Sequence, residues 1–139
     1  MRLMGLDFGA HTVGVAVSDA TGTIATAREI IRRDRENALR ETLRRIADLV
    51  REEEIGQIIL GLPLHMDGSI SERAEKTLRF KEMLESRLGL PVAMQDERLT
   101  SVEAEEILRM RSIPKKDWKE EIDSLAAEII LQDYINSHG

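Results

Sequence analysis

The sequence predicts an α/β fold in which a mixed five-stranded sheet carries helices on both faces. The opening stretch has the two-residue apolar period of strands, and the second half alternates short apolar runs with helical patterns. Strands separated by helices need crossover connections, so three antiparallel strands are expected to precede parallel βα units. The length of 139 residues, 42% of them hydrophobic, fits one domain over residues 1–139.

Three strands are predicted in the opening stretch. Leu3, Leu6 and Phe8 mark the first strand, and Val13, Val15 and Val17 alternate with small residues to mark the second. Turn residues then separate the second strand from a third, over residues 23–31. These segments predict an antiparallel meander.

The second half predicts helices and two further strands. A helical spacing of apolar residues begins at Asn37 and ends before Ile55. Continuous apolar runs predict the two strands, and spacings typical of capping boxes predict the starts of the three later helices. The runs are Ile58–Leu60 and Val92–Met94, and the capping pairs are Ser69 with Glu72, Thr100 with Glu103, and Asp117 with Glu120.

Composition excludes several classes of protein. The chain contains no cysteine, so disulfides and thiolate metal sites are excluded, and a reducing, cytoplasmic location is expected. Residues 55–66 form the longest run without a charged side chain, which is too short to cross a membrane. The net charge of -6 is unusual for a nucleic-acid binder, but residues 28–51 hold eight basic and five acidic side chains. An acidic site beside a basic face is therefore expected.

Three acidic segments lie far apart in the chain. Asp7 interrupts an apolar strand, where a carboxylate is costly unless it is paired or bound to a metal. Adjacent strand residues point to opposite faces, so only one of Asp96 and Glu97 can share a site with Asp7. Glu97 is the favoured residue, although a one-residue change of register would exchange the two. Asp123 lies near the first turn of the last helix.

Three such carboxylates suit Mg²⁺ or Mn²⁺, and two ions could activate a water for phosphodiester hydrolysis. The strand, turn and returning strand around Asp7 leave the class open, because two-metal nucleases and sugar kinases or actin-like ATPases both use this arrangement. A kinase would need a second domain, for which the chain has no room. Of the three histidines, His11 and His65 are candidate substrate contacts.

Four segments together resemble the YqgF/RuvX family over nearly the whole chain. They are residues 5–9 with 13–19, residues 61–68, the run Asp96–Glu105, and Ile122–Asp123 with Ala126–Ala127. The resemblance implies a ribonuclease-H-like fold and a metal-binding triad of Asp7, Glu97 and Asp123. It also implies a nuclease that matures the 5′ end of pre-16S ribosomal RNA, or a Holliday junction resolvase.

The sequence departs from the family pattern at two places. The first hairpin has His11 and Thr12 where basic residues are usual, and His65 stands where an Asn is usual. Phosphate contacts are therefore expected elsewhere. The candidates for nucleic-acid binding are Arg28, Arg32, Arg33, His65, Arg98, Lys115 and Lys116, with Lys119 beside them.

Three functions follow as hypotheses. The first is a metal-dependent nuclease on structured RNA, acting on pre-rRNA or ribosomal precursor particles. The second is a DNA endonuclease that resolves branched junctions, for which two sites in a homodimer would be needed. The third is a non-catalytic RNA-binding factor of ribosome assembly. The sequence leaves open whether the protein is a monomer or a homodimer.

Overall fold

Five strands form one sheet in the computed structural model, which describes residues 1–97 and 100–138. They are β1 (Arg2–Phe8), β2 (Thr12–Ser18), β3 (Ala25–Arg32), β4 (Ile55–Leu62) and β5 (Val92–Asp96). Their order across the sheet is β3-β2-β1-β4-β5. The pairs β1–β2 and β2–β3 are antiparallel, while β1–β4 and β4–β5 are parallel. The predicted mixed sheet is confirmed.

Helices lie on both faces of this sheet, as predicted. They are α1 (Arg40–Glu52), α2 (Glu72–Leu88), α3 (Thr100–Met110) and α4 (Trp118–His138), and a 3₁₀ turn (Lys115–Asp117) leads into α4. On one face α1 and α2 pack against β4, while α4 covers the other face and α3 packs on α4. No helix among the described residues is both long enough and apolar enough to span a membrane.

The two faces of β1 belong to different cores. Met4, Leu6 and Phe8 are buried with α1 and α2, together with Ile46, Leu49, Phe80 and Leu84. Leu3 is buried on the opposite face with the α4 residues Ala127, Ile130 and Leu131. Because strand residues alternate between faces, Asp7 points to the α4 side of the sheet. A third apolar cluster joins α3 to α4.

Glycines let α4 lie unusually close to the sheet. A Cβ at Gly5 would lie 2.6 Å from Leu131 Cβ and 2.9 Å from the carbonyl oxygen of Ala127. A Cβ at Gly14 would lie 3.0 Å from the carbonyl oxygen of Asp123. The close approach depends on the small residue Ala127 of α4 and on the facing glycines of β1 and β2.

One predicted helix start differs from the structure. The N-cap of α2 is Ser71, whose Oγ accepts from Ala74 N at 2.9 Å, and not Ser69. Ser69 instead donates to Asp67 Oδ1 in the preceding turn, because Asx turns compete for such hydroxyl groups. Gly89 ends α2 in the left-handed region, as its position predicts. Of the capping pair Thr100 and Glu103, the Thr100 side chain lies outside the described residues.

Candidate active site

The candidate site lies where the carboxyl ends of β1, β4 and β5 meet. These three strands are parallel to one another, so their ends share one edge of the sheet. Asp7 is the penultimate residue of β1, and Glu97 directly follows β5. The Glu97 amide donates to the carbonyl oxygen of Leu62 at 3.2 Å, which fixes the backbone of Glu97 to the end of β4.

Glu97 reaches Asp7 across a glycine. Gly61 of β4 lies between them, and a Cβ at this position would lie 2.9 Å from Glu97 Cδ. The side chains of Asp7 and Glu97 are hydrogen-bonded to each other. Asp96 is exposed and points to the opposite face from Glu97, so Glu97 is the acid of the two that contacts Asp7.

Burial raises the pKa of both carboxyl groups. For Asp7 the hydrogen bond with Glu97 opposes this rise and the charge of Asp123 adds to it. For Glu97 the neighbouring charge of Asp7 raises the pKa further. Two half-buried carboxyl groups in contact cannot both be ionised cheaply, so a proton shared between them relieves their repulsion.

Asp123 faces the same cavity from α4. The cavity has a volume of about 360 Å³. Its wall is formed by the three acids together with Phe8, Gly9, Pro63, Leu64, Arg73, Ile122 and Ala126. The structure therefore brings all three predicted acids to one cavity. Pro63 and Leu64 belong to the loop that connects β4 to α2.

The donor set of this cavity fits a divalent cation. The carboxylates offer only oxygen ligands, which Mg²⁺ and Mn²⁺ prefer, and a cation could take the place of the proton between Asp7 and Glu97. Within residues 1–97 and 100–138, no three acidic or histidine side chains lie close enough together to hold one ion. Asp7 and Glu97 are thus the two acids in contact, and Asp123 lines the same cavity without joining that contact.

The predicted nucleic-acid contacts lie in different surroundings. Arg28 is ion-paired, with Nε 2.9 Å from Glu53 Oε1, so its charge is already compensated. Arg33 is half-buried and donates from Nη2 to the carbonyl oxygen of Gly9 at 2.6 Å, which holds the first hairpin turn. Arg98 lies outside the described residues. The remaining candidates are exposed, namely Arg32, His65, Lys115, Lys116 and Lys119.

Arg73, which was not predicted from the sequence, lines the cavity beside Asp7 and Glu97. Its positive charge opposes the rise in the pKa of both carboxyl groups. Arg73 lies in the first turn of α2, and the loop that contains Pro63 and Leu64 connects this helix to the end of β4. The sequence signal that could have identified Arg73 is a basic residue in the first turn of a helix that follows a strand ending at the site.

Comparison with known proteins identifies the family. The sequence model of the RuvX family, described as Holliday junction resolvase, matches residues 1–137. The chain belongs to the RuvX family. Relatives of this RuvX chain carry the name "Putative pre-16S rRNA nuclease". The one from Lactiplantibacillus plantarum is 47% identical, covering 100% of the chain and 96% of the relative. The one from Thermoanaerobacter pseudethanolicus is 43% identical, covering 99% and 97%.

Solved structures show the fold of this RuvX chain. T. thermophilus RuvC in complex with a Holliday junction substrate superposes with a TM-score of 0.60 and 15% identity, over 99% of this chain and 95% of RuvC. The fowlpox virus Holliday junction resolvase also gives 0.60 and 15%, over 99% of both chains. The ribonuclease-H-like fold implied by the resemblance is therefore confirmed.

Proposed function

We propose that this RuvX chain is a metal-dependent nuclease that processes the 5′ end of pre-16S ribosomal RNA, with residues 1–139 working as one nuclease domain. The observation that carries the proposal is the half-buried, hydrogen-bonded pair of Asp7 and Glu97 in a cavity that Asp123 also lines. A partly desolvated carboxyl pair destabilises a fold, so its presence at an open cavity supports a chemical role.

Each acid has a role in this proposal. Asp7 and Glu97 would hold a divalent cation directly, and Asp123 would complete the oxygen ligands from α4. Bound Mg²⁺ or Mn²⁺ would lower the pKa of a water and stabilise the charge that develops on the scissile phosphate. Glu97 would orient that water through its carboxylate once its proton has left. Hydrolysis would proceed without a covalent intermediate.

The named relatives support RNA as the substrate. Proteins 43–47% identical to this chain are named for pre-16S rRNA. Aromatic side chains make up only 3% of the sequence, which disfavours recognition by stacked single-stranded bases. Recognition of a structured RNA through its shape and backbone is the mode that this composition favours. A pre-ribosomal particle in the cytoplasm would present such an RNA.

Junction resolution is the second candidate. The family description and the fold shared with two resolvases favour it. The chemistry would be the same, but paired symmetric nicks in a four-way junction require two sites related by a two-fold axis. A homodimer at working concentration is therefore a requirement of this candidate, whereas the RNA nuclease can act as a monomer.

The test is cleavage of three substrates in Mg²⁺, in Mn²⁺ and in chelator. The substrates are a pre-16S 5′ leader RNA, a four-way DNA junction and a plain single strand. We expect Asp7→Asn and Glu97→Gln to reduce cleavage of the leader about 10²-fold or more, because each removes a metal ligand. Mg²⁺ should also raise the Tm of the wild type and not that of Asp7→Asn.

Asp123→Asn tests the third acid in the same assay, and Glu121→Gln is its control. Glu121 is exposed and lies two residues before Asp123 in α4, so its replacement should leave cleavage unchanged. Cleavage of the DNA junction without cleavage of the leader RNA would contradict the RNA nuclease and favour junction resolution, the second candidate. RNA binding without cleavage in either metal, equal in wild type and Asp7→Asn, would contradict both nuclease candidates and favour the assembly factor.

A further inference from the structure

Three buried guanidinium nitrogens have no hydrogen-bond partner among the described residues. They are Nη1 of Arg33 and both Nε and Nη2 of Arg73. An unpaired buried donor costs on the order of 1–3 kcal/mol, and more when it carries charge. Two neighbouring arginines with three unpaired, buried nitrogens are therefore unusual if their only role is to stabilise the fold.

The two arginines share one aromatic ring and one acidic residue. The Cζ atoms of Arg33 and Arg73 lie 5.0 Å and 4.7 Å from the centroid of the Phe8 ring. Glu36 holds both, because its carbonyl oxygen accepts from Arg33 Nε at 2.9 Å and its Oε1 accepts from Arg73 Nη1 at 2.7 Å. Lys76 Nζ donates to the same Oε1 at 2.8 Å. This arginine cluster of Arg33, Glu36, Arg73 and Lys76 therefore carries an excess of positive charge.

The charges in the arginine cluster repel each other. Burial lowers the pKa of Arg33, and the neighbouring positive charge of Arg73 lowers it further, while Glu36 opposes the change. Hydrogen bonds from Lys76 and Arg73 hold the pKa of Glu36 well below its usual range, so this carboxylate stays ionised. Within the cluster one carboxylate faces three cations, while Glu72 lies 3.9 Å from Lys76 and Arg73 also neighbours Asp7 and Glu97. An anion seated between the arginines would relieve both the repulsion and the unpaired donors.

The arginine cluster lies between two cavities. Arg73 lines the cavity of the three acids, whereas Glu36 and Lys76 line a second cavity of about 430 Å³. Phe8 borders both cavities, and Arg79 adds a further cation to the second. A polymer that leaves the acidic cavity past Arg73 would meet Lys76 and then Arg79. This succession of cations matches the repeated charges of a phosphodiester chain.

We propose that Arg33 and Arg73 form a phosphate-binding site that grips the nucleic-acid backbone beside the three acids. This inference rests on the proposed function, because it supplies the cations that the predicted first hairpin lacks. The Arg73 side chain lines the cavity and keeps 28% of its surface exposed, but its Nε and Nη2 atoms are themselves buried, so the side chain must turn toward the cavity for these donors to meet a phosphate. Glu36 is then a positioning residue that holds both guanidinium groups for the phosphate.

The test measures binding without cleavage. Affinity for the leader RNA and for the DNA junction is measured in chelator by fluorescence anisotropy over a range of salt. We expect Arg73→Gln and Arg33→Gln each to weaken binding about tenfold at low salt and to reduce the slope of log K against log salt by about 0.7–0.9. Arg73→Lys should keep most of the slope while losing affinity, because it retains the charge without the planar fork of donors.

Arg87→Gln is the matched control. Arg87 is exposed in the last turn of α2, about 20 Å along the helix from Arg73, and its replacement removes the same charge. Equal slopes for Arg73→Gln and Arg87→Gln would overturn the proposal. Wild-type cleavage that depends on Asp7 would meanwhile uphold the nuclease, so the two proposals can fail separately.

A second measurement needs no variant, in case Arg73→Gln does not fold. The side-chain Nε resonances of Arg33 and Arg73 are followed by NMR in the wild type as inorganic phosphate is added at constant ionic strength. We expect both to shift with phosphate and the Arg87 resonance to stay in place. If chloride and phosphate give the same spectrum, and the leader RNA in chelator also leaves both resonances unmoved, the site does not exist.

Discussion

Gly61 determines where the carboxyl group of Glu97 can lie. This position of β4 has space for a hydrogen only, because a Cβ would approach Ile130 Cδ1 to 2.5 Å and Glu97 Cδ to 2.9 Å. The Ile130 atom is the end of a flexible side chain and can move. The Glu97 carboxyl is held by Asp7, so the added methyl group would push it away from its partner.

We expect Gly61→Ala to reduce cleavage by about tenfold or more while it lowers stability by only about 1–3 kcal/mol. The reason is that the methyl group displaces a group at the reacting centre and disturbs the core only at its edge. Cleavage rates and chemical denaturation would be measured on the same preparation. Gly56→Ala, in the same strand, is the control, since its Cβ would meet only the flexible Met1 side chain. Retention of full activity by Gly61→Ala would show that Glu97 tolerates displacement.

The acids could be predicted from the sequence, and their electrostatics could not. Strand alternation shows only that one of Asp96 and Glu97 can share a site with Asp7, and the hydrogen bond between Asp7 and Glu97 makes it Glu97. The proton shared with Asp7 depends on the register of β4 and β5, which brings Gly61 beside Gln95 and so places Glu97 above the glycine. The position of Arg73 at the site could not be predicted for a similar reason. Its surroundings come from β1 and from the residues after β3, far away in the sequence.

At the scale of elements, the contact between α4 and β1 has no spare volume. The methyl group of an alanine at position 5 would meet the Leu131 Cβ and the Ala127 carbonyl oxygen, both of which are fixed to the α4 backbone. Relief therefore requires movement of the whole helix. We expect Gly5→Ala to lower the free energy of unfolding by about 1–3 kcal/mol.

Chemical denaturation of Gly5→Ala beside wild type checks this expectation, with Gly56→Ala again as the control. The larger effect at Gly5 follows because its clash is with helix backbone, whereas the clash at Gly56 is with the flexible Met1 side chain. Equal stability of the two variants would mean that α4 shifts at little cost.

Element types were predictable, but helix starts less so. Periodicity placed strands and helices correctly because apolar spacing reports burial directly. The start of α2 was misplaced because Ser69 and Ser71 both precede acidic or helix-forming residues. The Asx turn at Asp67 uses Ser69, and the Ser71 hydroxyl also donates to the carbonyl oxygen of Pro63. Such competition between local hydrogen bonds is decided by the fold.

The stability of the whole molecule should depend on pH through the pair Glu103 and Asp133, which joins α3 to α4. Their side chains are hydrogen-bonded, and burial raises the pKa of both, with the charge of Asp133 adding to the rise for Glu103. A raised pKa means that the folded chain binds protons more tightly than the unfolded chain. The stabilisation is therefore complete below the unfolded pKa values, near pH 4, and is lost as the pH rises through the folded values.

We expect Glu103→Gln to raise Tm at neutral pH, because it removes one of two repelling carboxylates. The difference from wild type should vanish near pH 4, where both carboxyl groups carry protons in the wild type. Tm measured across this range checks the expectation, with Glu105→Gln of the same helix as the control. A constant difference at every pH would assign the effect to packing and not to charge.

Net charge is the property of the whole molecule that was the poorest guide to the substrate. A total of -6 argues against a polyanion substrate, and the excess of basic residues over positions 28–51 points the other way. The structure divides that basic segment. Arg28 forms an ion pair with Glu53, and Arg45 forms one with Glu29. Arg33 instead points inward beside Arg73. Sequence counts cannot make this division, because it depends on which acids fold against which bases.

Helix α4 contacts all five strands of the sheet, and this contact has a consequence for hydrogen exchange. Its residues from Leu125 to Leu131 are almost all buried. We expect the amide hydrogens of this segment to be among the slowest of the described residues to exchange with solvent, because exposing them requires α4 to separate from the sheet. Asp123 lies two residues before this segment and is held in the same helix.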